Sequence, residues 1–273
     1  MAAVMPTESP AGHAPAEVLQ QATVELLLHL ADCSLILAQR DAEWCGHGPL
    51  LEEDIAMANL ALDLLGQARL LYQAAGRRLG KSEDELAYFR DEHAFRNFTL
   101  CELPHSPLAL SGNARTERCY AVTIVRHVLY GSFMRLRWQQ LRVHADAELA
   151  AIADKALKET QYLLRHGCDW LLRIGDGTAE SHARGQRALD LLAPYTSEFW
   201  LQAPELRAPW CEQLGPLLAE ATLQPPAGLL DASAPPPRAA ASAQGSRGRH
   251  SEHMGYLLAE MQSLARAHPG ARW

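Results

Sequence analysis

Apolar positions recur along this chain at helical spacing, and no stretch of any length shows the apolar–polar alternation of a strand. The clearest case is a segment starting near Leu50, just behind Gly48-Pro49. There Leu51, Ile55, Ala58, Leu62, Leu65 and Tyr72 return at alternating steps of four and three, with Arg69 in one slot, while Leu60, Leu64 and Leu71 form a second apolar face. A helix with two apolar faces packs against more than one neighbour. The pattern predicts other long helices over about 17–42, 116–143 and 147–174. The last carries Leu149, Ile152, Ala156, Leu163, Gly167, Leu171 and Ile174 on one stripe and is stopped by Gly175-Asp176-Gly177. Ser82 followed by Glu85 is a capping box for a short helix over about 83–96. Two prolines and a glycine make 101–113 a loop, and shorter helices are predicted near 180–200 and 209–221. The fold class is all-α.

Two stretches interrupt the pattern. Residues 1–16 are rich in Ala and Pro and read as a disordered tail. From Gln224 to Arg249 the composition shifts to Pro, Ala, Ser and Gly, including Pro235-Pro236-Pro237, which reads as a flexible linker. A helix then resumes and ends before Pro269, with Met254, Leu257, Leu258, Met261 and Leu264 at helical spacing; such a stripe is expected to dock on the preceding domain. The organisation read from this is a tail at 1–16, a helical bundle at 17–222, a linker at 223–249 and a docking helix at 250–273. With 273 residues, 48% of them hydrophobic, the chain can bury a substantial core.

Charge and cysteines narrow the functional classes. A net charge of −7 lacks the basic footprint of a nucleic-acid binder. The apolar run Val24–Ile36 is interrupted by Glu25, His29 and Asp32, short of the roughly 20 residues of a membrane span. No basic segment followed by an apolar one opens the chain, and the six cysteines include no Cys-x-x-Cys pair, so the expectation is a cytoplasmic protein with free thiols. No Gly-x-Ser-x-Gly, phosphate-binding loop or Gly-x-Gly-x-x-Gly is present.

The remaining chemistry that suits long helices is a di-iron centre, which takes a Glu from each of two helices and a Glu-x-x-His pair from each of the other two. The segments best placed for the pair read Asp63-Leu64-Leu65-Gly66 and Glu159-Thr160-Gln161-Tyr162. Of the 12 histidines, His105 alone has a carboxylate three residues before it, and Pro104 intervenes. Between Glu117 and Asp146 there is no carboxylate. Polar stripes do occur: Glu25, His29 and Asp32; Asn59, Asp63 and Gln67 beside Gly66, which would permit close backbone approach; and Lys155, Glu159, Tyr162 and His166. Each reads as a solvated margin or a satisfied hydrogen-bond network, with Lys155, Lys158, His29 or His127 available to neutralise the carboxylates. The alternative is convergence of Glu25, His29, Asp32, Asp63, Glu159 and His166 as a degenerate metal site. Glu43-Trp44-Cys45-Gly46-His47-Gly48-Pro49 reads as a packed corner between helices rather than a metal clip. Arg126, Arg135, Arg137 and Arg142 read as a solvated helix face, with a subunit-facing or phosphate-facing surface as the alternative.

Three segments carry a resemblance. The corner from Glu43 to Pro49 continuing through Asp54 to Arg69, the run Lys158 to Arg165 with Gly175-Asp176-Gly177-Thr178, and Ser251 to Gln262 together resemble the PaaC-type structural subunits of phenylacetyl-CoA 1,2-epoxidase complexes. The resemblance covers roughly 24–223 and 250–273, and the Ala/Pro-rich connection looks longer than the family's usual one. It implies a ferritin-like, non-catalytic subunit of a cytoplasmic hetero-oligomer in aerobic phenylacetate degradation. Its partner would be a homologous catalytic subunit holding the di-iron centre, with electrons delivered from NADPH by an iron–sulfur flavoprotein reductase. No residue of this chain is then assigned a catalytic, cofactor-binding or metal-ligating role. An independent enzyme with a degenerate metal site, or a binding protein without an oxygenase partner, are the other readings.

Overall fold

The computed structural model describes residues 16–106, 118–237 and 244–271. Its helices are α1 (Ala16–Ala42), α2 (Leu51–Leu79), α3 (Glu83–Tyr88), α4 (Thr99–Glu102), α5 (Tyr120–Leu141), α6 (Ala147–Gly175), α7 (Ala179–Leu192), α8 (Phe199–Gln202), α9 (Arg207–Glu220) and α10 (Glu252–Ala267). Among the described residues no strand is present. The expected tail falls almost wholly outside the described residues, as do 107–113 of the expected loop.

The four long helices α1, α2, α5 and α6 form the bundle. Short corners join α1 to α2 and α5 to α6, whereas a long crossover carrying α3 and α4 separates α2 from α5, the connectivity of a ferritin-like bundle. The first corner is tight for a visible reason. Gly48 donates its N–H to the Asp54 carboxylate at 3.0 Å, and a Cβ at Gly48 would stand 2.7 Å from the Asp54 backbone. At the same end of the bundle α6 stops against the end of α9, where a Cβ on Gly175 would lie 1.9 Å from the Ala221 carbonyl oxygen. The predicted capping box forms, with Ser82 and Glu85 satisfying each other's backbone N–H at the start of α3, and Asp146 caps α6. The whole predicted α6 stripe is buried. By length and composition Gln20–Ala42 of α1 is apolar enough to cross a membrane, contrary to the sequence expectation, but 67% of its most apolar window is buried inside this bundle.

The short helix expected over 83–96 ends at Tyr88. Residues 90–96 instead run across α1, because Asp32 takes both the Arg90 guanidinium and, at 2.7 Å, the Arg96 N–H. A buried carboxylate satisfied by the crossing segment outweighs that segment's helix propensity.

The C-terminal segment is clasped by two buried carboxylates. Glu102 accepts the Ser251 N–H at 2.6 Å, His250 Nδ1 at 2.6 Å and Asn97 Nδ2 at 2.8 Å. Glu198 accepts the N–H groups of Thr99 at 3.3 Å and Ser246 at 3.2 Å, while Gly245 donates to Thr99 Oγ1 at 3.0 Å. From there α10 buries Met254, Leu257 and Leu258, and Gln262 donates to the carbonyls of Ala87 and Arg90. The expected stripe is broken at its end, since Leu264 faces solvent. Within the 223–249 connection, Leu223 and Leu229 are buried and Arg207 Nη2 holds the Asp231 carbonyl at 2.7 Å. Residues 238–243 lie outside the described residues.

Candidate functional site

The two positions where a helical di-iron site would place its Glu-x-x-His pairs face each other across α2 and α6. Gln67 Nε2 donates to Glu159 Oε2 at 3.0 Å, Lys155 Nζ lies 3.0 Å from Glu159 Oε1, and Asp63 is close enough to feel both charges. Burial and then the neighbouring Glu159 charge push the Asp63 carboxyl above its ordinary value, against the pull of Lys155. No imidazole stands in this group. Gly66 offers no donor, and Tyr162 is exposed with the Arg165 guanidinium over its ring. The close backbone approach expected at Gly66 is absent, because a Cβ there would meet nothing within 4 Å. A carboxylate pair neutralised by Lys and amide does not supply the donor set of a di-iron centre. Among the described residues no three His, Cys, Asp or Glu side chains converge as a metal-binding group.

The other candidates of the degenerate-site reading are scattered. Glu25 is exposed and bonded by Gln21. His29 Nδ1 meets the Arg96 carbonyl at 2.6 Å. Asp32, fully buried, accepts Tyr72 OH at 2.5 Å in addition to Arg90 and the Arg96 N–H. This stripe of α1 therefore anchors the 90–96 crossing. Its neighbourhood raises the Tyr72 hydroxyl well above its ordinary value, through burial first and the Asp32 charge second. His166 joins a separate cluster, where Glu53 Oε2 accepts His166 Nε2 at 2.9 Å and Tyr120 OH at 2.5 Å. Burial opposes the Glu53 charge, but these two donors more than compensate and hold its carboxyl below the usual range.

Of the cations expected to neutralise the facing carboxylates, Lys155 alone does so. Lys158 pairs with Asp154, and His127 lies in the core with its Nε2 2.9 Å from the Asp41 carboxylate. The corner after α1 is packed as expected, with Trp44 Nε1 donating to Thr123 Oγ1 at 2.9 Å and its ring set edge-on against Tyr120. Cys45 and His47 are exposed, and Glu43 is held by Arg40 at 2.6 Å.

The arginines of α5 do not form one solvated face. Arg126 is fully buried, donates to the Pro104 carbonyl at 2.8 Å, and has its pKa lowered to about 10 by burial and by Arg40. Arg135 and Arg137 are half-buried, and Arg142 pairs with Asp154 at 2.9 Å. Sequence reasoning missed Arg126 and the buried Glu102 and Glu198, because single charged residues on apolar helices carry no local signal of where their partners come from.

Two comparisons bear on this arrangement. A family model described as "Phenylacetic acid catabolic protein" matches residues 5–273. The chain is also similar to one of the subunits of the 1,2-phenylacetyl-CoA epoxidase of Escherichia coli (strain K12), the one designated C, at 37% identity over 262 residues, which span 90% of this chain and 97% of that one.

Proposed function

The chain belongs to the family of phenylacetic acid catabolic proteins, and from that premise we propose that it is the non-catalytic structural subunit of a phenylacetyl-CoA 1,2-epoxidase complex in aerobic phenylacetate degradation. The observation that carries the reading is the α2/α6 face, where Asp63 and Glu159 are matched with Gln67 and Lys155 and the two imidazole positions hold Gly66 and Tyr162. In this reading the homologous partner subunit holds the di-iron centre that supplies the oxygen chemistry. Electrons reach it from NADPH through an iron–sulfur flavoprotein reductase, and the assembly is cytoplasmic. The work of this chain is mechanical: its closed hydrogen-bond networks fix the shape of one bundle so that another can be seated on it.

The test is direct. Purified alone, the chain is expected to hold no stoichiometric iron, and elemental analysis giving about two irons per chain would falsify the reading. Co-expressed with the di-iron subunit, it is expected to elute with it on sizing chromatography. In the assembled complex, Asp63→Ala and Glu159→Ala are expected to leave turnover close to that of the parent. A large loss of turnover with assembly and stability intact would place chemistry in this chain.

A further inference from the structure

We propose that the outward apolar face of α2, continued over α1, α3 and α10, is the surface on which the partner subunit lays an apolar helix edged with Lys and Arg; this rests on the functional reading above. The seam that opened the sequence pattern is the starting point. Leu51, Ile55 and Leu62 are 73%, 54% and 64% exposed, although they repeat at the steps of four and three by which one helix seats another. The second apolar face of α2, Leu60, Leu64 and Leu71, is the one that fills the core. The exposed face is therefore additional to what the fold consumes.

It is also not isolated. A groove of about 340 Å³ runs between α1 and α2, with buried Leu35 and Ala38 as floor and Tyr88 and Met261 at one end. The same two residues line a second hollow of about 550 Å³ between α3 and α10, where Phe89 and Leu264 are exposed. The apolar surface is thus continuous from the start of α2 to the end of α10, and it explains why Leu264 leaves the buried stripe of its helix.

Three features define the occupant. The seam from Leu51 to Leu65 is roughly 20 Å long at helical rise, the length of about four turns of one partner helix. The exposed side chains of Leu51, Ile55 and Leu62 join the apolar walls of the groove in one strip, the kind of apolar centre that an interface between subunits buries. The rim is acidic: Glu52, Asp84 and Glu85 are exposed against Lys81, and Arg69 is already tied to Glu83 at 3.0 Å. A second copy of this chain, also at −7, would bring like-charged rims together. A helix of the homologous subunit flanked by basic residues fits both the seam and its edges.

The experiment uses the full chain and the di-iron subunit, with sizing chromatography and calorimetric titration. Ile55→Glu and Leu62→Glu are expected to weaken the complex at least tenfold with unchanged thermal melts, because both side chains are exposed. Val143→Glu, at a position 87% exposed just past α5, is the control and should bind as the parent does. Parent-like binding by both seam variants overturns the proposal. It is equally overturned if those substitutions dissolve a homodimer of this chain and leave the mixed complex intact. If the parent itself does not bind the di-iron subunit, the functional reading fails, and this surface assignment with it.

Discussion

Asp32 and Asp63 sit on neighbouring antiparallel helices, each within a polar stripe flanked by apolar positions, and in the sequence they look alike. In the fold they are opposites. Asp32 has no exposure and collects a phenol, a guanidinium and a backbone N–H, all from segments distant in the chain. Asp63 is half-buried beside another carboxylate, which its neighbours Lys155 and Gln67 serve first. A carboxylate on an amphipathic helix is thus defined by what crosses it. Where a loop crosses, it becomes an anchor; where a second helix with its own carboxylate crosses, it becomes a tolerated repulsion.

The largest effect should come from removing the anchor. Asp32→Ala leaves Arg90 and the Arg96 N–H without their partner and should cost about 3–5 kcal/mol in urea unfolding. A loss below about 1 kcal/mol would mean that the 90–96 crossing holds itself. On the opposite face a substitution should gain stability. Gly66→Ala is expected to add roughly 0.5–1 kcal/mol, since a methyl group meets nothing there and Ala favours the helix. A destabilised Gly66→Ala protein would show that this stretch of α2 is under a constraint the geometry does not contain.

The smallest effect sharpens the contrast by pH. Because the Asp63 carboxyl is held above its ordinary value, its contribution favours folding below the carboxylate range and is lost as pH rises through the raised value. Asp63→Asn should therefore be neutral or up to about 1 kcal/mol more stable at pH 7. The gain should vanish as the pH falls through the carboxylate range. A gain that grew toward acid would reverse the sign and refute the repulsion.

Much of this fold could be read from the sequence because helices advertise themselves locally. The α6 stripe, the Ser82–Glu85 box and the packed corner at Trp44 needed only spacing and residue type. The mismatch at Gly66 and Tyr162 was legible for the same reason. What stayed hidden depended on partners from elsewhere in the chain. Nothing near residues 83–96 indicates that Asp32 will stop their helix. Nothing near Arg126 indicates burial, since Arg on a helix ordinarily faces water. The α2 seam was visible as a pattern, but periodicity reports apolarity and cannot say whether the cover is this chain or another.

The clasp of Glu102 on His250 and Ser251 has a consequence in time. It joins residues 148 and 149 positions apart, so it closes only after Ser251 has been made. The α1–α2 and α5–α6 pairs are local contacts between sequence neighbours and form early, whereas α10 follows all of the bundle helices in chain order and seats after them. Until then the ends of α3 and α4 lack their cover and the α3/α10 half of the apolar surface does not exist. A subunit that completes this surface with α10 presents its whole face to a partner only after that helix has been made and seated.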